Sequence, residues 1–277
     1  MISSQEGESQ FGFQAPLEIE SMRLTLTFIL VASALAFGCA ASGQSRNDGL
    51  YKPAPGTNQI DPAVAEGYLA KFRTMSDQEL SASNIEEDFN KRAAAARVRL
   101  ERAKIPVSSA GVEQVESRYV LAGDAKSRAY GFWLLGELAL QGVADEEIAD
   151  VILRFVEQHP TDPVCDNALW ALGEIGSDDA LEHFYEIAAD TSRYGPAARE
   201  RSFCCISQCG RYSGMTHFEN IPRILELAKR VRDPQTQQWC VMALQFMAPG
   251  VALSSIPDWE KWWQVQLKVR GGKTKAR

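Results

Sequence analysis

The chain has 277 residues, of which 45% are hydrophobic and 23% charged, and its 29 Lys and Arg against 36 Asp and Glu give a formal net charge of −7. This hydrophobic content excludes a wholly disordered chain, and the length is sufficient for a sizeable core in one or two domains. The acidic balance argues against nucleic acid as a partner, because neutralising phosphates requires a surplus of Lys and Arg.

An apolar run of 14 residues, Leu24–Phe37, lies near the start of the chain. A membrane-spanning helix needs about 20 residues, so the run fits the hydrophobic region of a signal peptide, with Arg23 as its positive flank. The preceding residues 1–21 carry four Glu and no Lys or Arg, which is the wrong charge for such a flank. We therefore expect translation to start at Met22, and residues 1–38 to comprise an upstream extension and a signal peptide.

The end of this run resembles the lipobox of bacterial lipoproteins, Leu-(Ala/Ser)-(Gly/Ala)-Cys. Gly38 and Cys39 match the pattern, whereas Ala36 replaces the usual Leu and Phe37 is bulky for its position. The resemblance implies that Cys39 is diacylated and becomes the first residue of a mature chain that lipid holds at the membrane. The expected location is then the bacterial cell envelope, facing the periplasm. The alternatives are plain secretion, with Cys39 incidental, and an uncleaved anchor.

The next two regions are a tether and a group of helices. Residues 39–60 are rich in Gly, Ser, Pro and Asn, which is typical of a flexible linker. Residues 61–111 form a predicted N-terminal helical region, in which Asp61-Pro62 begins a helix that ends near Phe72. Capping-box spacings at Ser76-x-x-Glu79 and Ser83-x-x-Glu86 begin two further helices, the second of them long and ending near Lys104.

The long helix begins with acidic residues and continues with a run of basic ones. This order complements the helix dipole. The cations are Lys91, Arg92, Arg97, Arg99, Arg102 and Lys104. Such a run is most often a solvated helix surface, which is the interpretation we adopt, with an anionic-partner face as the alternative.

From residue 112 to 253 the sequence repeats itself. Aligning Gly136, Gly173, Ser207 and Gln245 gives offsets of 37, 34 and 38 residues and superposes Trp133 on Trp170 and Glu137 on Glu174. An amphipathic segment precedes each of these apolar segments. The amphipathic segments are Glu146–Gln158, Asp179–Ala189 and Asn220–Val231. Two helices per period of this length predict an all-α fold, an α-α superhelix of stacked helix pairs.

The repeats resemble HEAT-like repeats of the short bacterial variety that is related to phycobilisome-lyase repeats. The resemblance rests on Asp162-Pro163, on Ala171-Leu172-Gly173-Glu174-Ile175-Gly176, and on weaker matches in the neighbouring units. It implies a binding or scaffold protein that presents a surface to another envelope protein, with Arg128, Asp166 and Arg199 as candidate contact residues. The alternative is a bilin-lyase-like or other enzyme on the same repeats, although an exported protein has no phycobilisome to serve. A scaffold that self-assembles through its repeat ends is a further option.

The sequence contains no catalytic motif that we recognise, and it predicts neither a cofactor nor a metal site. The cysteines other than Cys39 fall in or beside the second helices of the repeats, where small residues pack. They are Cys165, Cys204, Cys205, Cys209 and Cys240. A disulfide between Cys165 and Cys204 or Cys205 is one alternative, and metal binding or oxidation at Cys205 and Cys209 is another. The three histidines, His159, His183 and His217, are expected at the surface.

Two sets of residues have predicted structural roles. Asp124, Asp162 and Asp233 are expected to cap helices and to pair with Arg128 and Arg199 as a ladder between repeats. Residues 254–277 are predicted to form a capping helix and a basic tail. Trp259, Trp262 and Trp263 have the spacing of one helix face and are expected to seal the end of the core, with a ligand-stacking platform as the alternative. The tail could also contact anionic lipid or polymer.

Overall fold

The computed structural model describes residues 62–83, 89–142, 144–208 and 217–274, and every regular element within them is helical. The all-α prediction is thus confirmed. The helices are α1 Pro62–Phe72, α2 Asp77–Ser83, α3 Phe89–Ala103, α4 Ser109–Val115, α5 Ala125–Ala139, α6 Asp145–Gln158, α7 Cys165–Ile175, α8 Asp178–Ala189, α9 Pro196–Ser207, α10 His217–Arg230, α11 Pro234–Met247 and α12 Ile256–Thr274. A π-helical turn, Glu116–Val120, extends α4.

Several of the helices begin where a side chain accepts a hydrogen bond from one of their first free N–H groups. The Asp124 carboxylate accepts from Ser127 N at 2.7 Å, and the Asp233 carboxylate accepts from Thr236 N at 2.8 Å. Ser76 N donates to Glu79 at 2.7 Å and Glu79 N donates to Ser76 Oγ at 3.3 Å, which confirms the first capping box. Most of the second box lies outside the described residues.

Asp162 does not cap a helix as predicted. Helix α7 begins later, at Cys165, and the Asp162 carboxylate instead accepts from Val164 N at 2.8 Å in a turn that precedes the helix. The reason is that residues 162–164 form a tight turn, in which Cys165 N bonds to Asp162 O and Asp166 N bonds to Pro163 O.

The helices pack in a regular order. Helices α3, α5, α7, α9 and α11 form a row in which each packs against the next. Helices α6, α8 and α10 each pack against the helix that follows them in the chain, namely α7, α9 and α11. Helix α12 packs against both α10 and α11. The described repeat region is therefore built from helix pairs whose second members lie side by side.

Two hydrophobic clusters fill the described part of the chain. The larger runs from Leu100 to Trp263 and includes fully buried residues such as Phe132, Leu169 and Trp259. The smaller joins α1, α2 and α3 through Leu69, Phe72, Leu80, Ala94, Ala95 and Val98. Trp259 and Trp263 are 0% and 6% exposed, which confirms that tryptophans of the last helix seal this end of the core.

The glycines of the repeated Leu-Gly-Glu segments allow adjacent second helices to approach closely. A Cβ on Gly136 would lie 2.4 Å from the Trp170 ring, and a Cβ on Gly173 would lie 3.0 Å from Cys205 Sγ. The space that a side chain would fill at each of these glycines is therefore occupied by a side chain of the next helix in the row.

The interpretation of the basic run on α3 as a solvated surface is wrong for two of its residues. Arg92 and Arg99 are 6% and 5% exposed, because they face carboxylates on α5 and α7. Arg97 and Arg102 do lie at the surface, where each pairs with a carboxylate.

Candidate functional site

One side of the α5–α7–α9–α11 row carries partly exposed side chains at equivalent positions, large ones on α5, α7 and α11 and the smaller Cys204 on α9. Trp133, Trp170, Cys204 and Met242 occupy the same place in successive second helices, by the repeat offsets of the sequence. The first three are half-buried and Met242 is 54% exposed. We call this surface, together with Tyr130 and Phe246, the aromatic face.

Aromatic contacts hold the α5 end of this face. The rings of Tyr130 and Trp133 stack with their centroids 5.6 Å apart, and Tyr119 meets Tyr130 edge-on at 5.3 Å. The Arg99 guanidinium lies over the Trp133 ring, 5.3 Å from its centroid. These contacts restrict the rotamers of Tyr130 and Trp133, so this end of the face is preorganised.

The α11 end of the face is more open and more apolar. Met242 and Phe246 lie one turn apart on α11 and are 54% and 52% exposed. Position 246 corresponds to Glu137 and Glu174 of the earlier units, which α3 covers. A large apolar side chain therefore stands in solvent where the first two units have a buried glutamate and the third has Gln208.

The candidate contact residues Arg128, Asp166 and Arg199 all make pairs within the fold. The Arg128 guanidinium donates to Asp162 at 3.1 Å, and Asp166 receives two hydrogen bonds from Arg201 at 2.9 and 3.1 Å. Arg199 is 7% exposed, donates to Thr236, lies 3.5 Å from Asp233 and stacks over Trp239. Asp166 and Arg128 keep partial access to solvent, whereas Arg199 has almost none.

The Arg128–Asp162 and Arg199–Asp233 pairs each join residues 34 apart in the chain. They confirm the predicted ladder, in which an arginine near the start of one second helix reaches the aspartate at the start of the next. Such pairs fix the register of neighbouring helices.

A buried group of four charges lies beneath this surface. Arg99 donates to Glu137 at 2.7 and 3.1 Å, and Arg92 donates to Glu174 at 2.8 Å. The two arginines are seven residues apart on α3, about 10 Å along its axis, which matches the usual spacing of adjacent packed helices. Helix α3 therefore runs across α5 and α7 and joins them.

The carboxylates of Glu137 and Glu174 are buried, which is uncommon for a charged group. Glu137 is fully buried, and burial raises its pKa against the opposing influence of Arg99. Sequence reasoning missed these pairs. The available signal was the recurrence of Glu137 and Glu174 at one position of an apolar helix, because a buried carboxylate requires a cation from elsewhere in the fold.

The described cysteines are all unbonded thiols that pack as small side chains, so the predicted alternative of a Cys165 disulfide is absent here. Cys165 Sγ donates to His159 O at 3.1 Å, and Cys205 Sγ lies 3.7 Å from Leu169 O. Burial raises the pKa of Cys165 and of Cys240 to about 12, and it raises the pKa of Cys204 and Cys205 as well. At neutral pH these groups are therefore protonated and weakly nucleophilic.

A cleft of about 170 Å³ lies beside the π-helical turn. Val151 and Phe155 supply apolar lining, and Arg128, Arg154 and His159 supply polar groups. Its two arginines are paired, Arg128 with Asp162 at 3.1 Å and Arg154 with Glu116 at 3.3 Å. The cleft thus offers balanced rather than net positive charge to a ligand.

In the part of the chain that the structure describes, no three His, Cys, Asp or Glu side chains lie close enough together to hold a metal ion. No helix there has the length and apolarity needed to cross a bilayer. Cys39, the proposed lipidation site, and Cys209 lie outside the described residues.

The chain was also compared with known proteins. No protein-family model, no curated protein sequence and no solved structure matches it.

Proposed function

We propose that the chain is a HEAT-like α-solenoid that binds another protein of the bacterial cell envelope through its aromatic face. The observation that carries the proposal is the row of second helices, in which α5, α7 and α11 bring large, partly exposed side chains to one surface. Lipid on Cys39 would hold the protein at the membrane, facing the periplasm, with residues 39–60 as the tether.

The composition of the aromatic face suits a protein partner. Trp, Tyr, Phe, Met and Arg are enriched in the cores of protein interfaces, and Trp, Tyr and Arg dominate binding hot spots. The face offers Tyr130 on α5, Trp170 on α7 and Phe246 on α11. The Asp166–Arg201 pair joins α7 to α9. A partner that covers it would bury aromatic surface and meet a polar pair whose geometry is already fixed.

Rigidity of this surface supports the same function. Binding costs less free energy when side chains are already ordered. The buried pairs Arg99–Glu137 and Arg92–Glu174 fasten α3 across two of the helices that carry the face, and the Arg–Asp ladder fixes the register of the others. The solenoid would thus present a preformed surface.

Site-specific photocrosslinking tests the binding face. A photoreactive phenylalanine analogue replaces Phe246, which is 52% exposed, in one variant and Val64 on α1, which is 44% exposed, in the control. We expect irradiation of intact cells to give a discrete crosslinked species from position 246 and none from position 64. Substituting Met242→Asp next to the probe should abolish that species. Equal crosslinking at both positions would contradict the proposal, and so would the absence of a crosslink when the same analogue replaces Tyr130, Trp170 or Phe246 in turn.

Membrane fractionation tests the anchor separately. The wild-type chain should fractionate with membranes and incorporate labelled palmitate, whereas Cys39→Ala should do neither. If Cys39→Ala is labelled and fractionates like the wild type, the lipid anchor is refuted, while the crosslinking result stands on its own.

A further inference from the structure

Helix α12 has apolar side chains on two sides. Trp259 and Trp263 are buried against the rest of the fold, and Phe218 meets Trp263 with ring centroids 4.3 Å apart. Trp262, Val265 and Val269 follow a second stripe, with spacings of three and four residues, about 100–160° around the helix from Trp263. Val265 and Val269 are 54% and 39% exposed, and Trp262 is half-buried.

The later part of α12 and the residues that follow it carry a concentration of positive charge in an acidic protein, whereas the start of the helix carries Asp258 and Glu260. Residues 261–277 contain six Lys and Arg and no Asp or Glu, which leaves the other 260 residues with 23 Lys and Arg against 36 Asp and Glu. Two of these cations, Lys261 and Lys268, are exposed and lie beside the apolar stripe, on the side away from Trp263. Lys261 also contacts Asp258, at 3.3 Å.

We propose that this surface of α12, defined by Trp262, Val265, Val269, Lys261 and Lys268 and called here the α12 stripe, docks on an anionic lipid bilayer. Helices that lie in the plane of a membrane interface place tryptophan and aliphatic side chains on one side with lysines beside them, and the outward side of α12 has these residues while its inward side packs against the fold. The apolar side chains enter the boundary of the acyl chains, and the lysines meet lipid phosphates.

The combination of features favours lipid over an acidic protein as the partner. The stripe is short, about 10 Å between Trp262 and Val269, and therefore offers little area for a stable protein interface. The neighbouring cations continue in the sequence through Arg270, Lys273, Lys275 and Arg277. Four to eight cations next to an amphipathic helix are the pattern that recognises anionic headgroups.

Vesicle sedimentation tests the inference with the Cys39→Ser chain, which removes any covalent lipid. The probe is vesicles of phosphatidylcholine with 30% phosphatidylglycerol, compared with pure phosphatidylcholine. We expect the chain to sediment with the anionic vesicles at least tenfold more than with the neutral ones, and to be released by 0.5 M NaCl. Lys261→Glu with Lys268→Glu should weaken partitioning at least tenfold, and Val265→Asp with Val269→Asp should abolish it.

Matched controls exclude a general charge effect. The single variants Lys126→Glu on α5 and Val64→Asp on α1 make the same types of substitution at exposed sites away from the α12 stripe. Both should leave vesicle binding unchanged. Circular dichroism confirms that each variant is folded.

Equal binding to both kinds of vesicle, or unchanged binding by the two α12 double variants, would overturn the inference. Capture of an acidic protein by α12 without binding to vesicles would identify the other class of partner and also overturn it. The experiment does not involve the aromatic face, so failure here leaves the proposed function intact.

Discussion

The most consequential individual residues are the two buried arginines of α3. Removing a charge from water costs several kcal/mol, and this cost is offset only when a partner of opposite charge lies in good geometry. The Arg99–Glu137 pair has this geometry at one carboxylate oxygen, since Glu137 Oε2 accepts hydrogen bonds of 2.7 and 3.1 Å from Arg99, and Arg99 also donates to Leu80 O at 3.1 Å. Loss of one partner would leave the other charge buried and without compensation.

We expect Arg99→Met to lower the free energy of unfolding by about 3–5 kcal/mol, because Glu137 would lose its cation in an apolar environment. Adding Glu137→Met should restore a substantial part of this loss. Urea denaturation followed by circular dichroism measures both effects, and the double-mutant cycle gives the coupling between the two residues.

The matched control is Arg73→Met, which breaks the exposed Arg73–Glu101 pair. Because that pair lies in solvent, little or no change is expected. Equal effects of Arg73→Met and Arg99→Met would mean that the buried pair does not matter for stability.

At the scale of the helices, close approach between neighbours decides which positions need glycine. Gly136 lies against the Trp170 ring, so the distance between α5 and α7 depends on the absence of a side chain there. Gly67 on α1 has open space around its Cβ position. The two glycines share a helical backbone but differ in their surroundings.

The same substitution should therefore have opposite effects at these two sites. Gly136→Ala should destabilise the fold by about 1–3 kcal/mol, because the new methyl group forces the Trp170 ring to move. Gly67→Ala should stabilise it by up to about 1 kcal/mol through helix propensity. Thermal unfolding of the two variants, measured side by side, checks both signs. Stabilisation by Gly136→Ala would show that Trp170 does not pack tightly there.

For the whole molecule, the two hydrophobic clusters imply unequal stability along the chain. The small cluster that holds α1 and α2 against α3 has six buried residues, whereas the main cluster extends across α5, α7, α9 and α11. A region with fewer buried contacts opens at a lower free-energy cost.

We expect amide hydrogen exchange of native protein to be fastest in α1 and α2 and slowest in α5 and α7. Arg92→Met should accelerate exchange in α3 and leave α11 unchanged, because α11 lies at the far end of the row. Mass spectrometry of peptic fragments resolves these elements. Protection of α1 equal to that of α7 would indicate that the described helices open as a single unit.

The local part of this structure was predictable from the sequence. Hydrophobic periodicity identified the second helices, and the capping residues Asp124 and Asp233 lie where they were expected, because capping depends only on groups within one turn. The Arg–Asp ladder was also predictable, since a regular repeat brings equivalent residues together. The proposed lipid anchor at Cys39 stays a prediction.

Only the tertiary structure decided which charges are buried. The sequence marks Arg92, Arg97, Arg99 and Arg102 alike as members of a basic run, but α3 crosses α5 and α7 with just two of them facing inward. The burial of a charge is set by contacts between residues 38 and 82 positions apart, and no local pattern encodes them. For the same reason, the aromatic face and the α12 stripe emerge only when packing determines which apolar residues the core leaves in solvent.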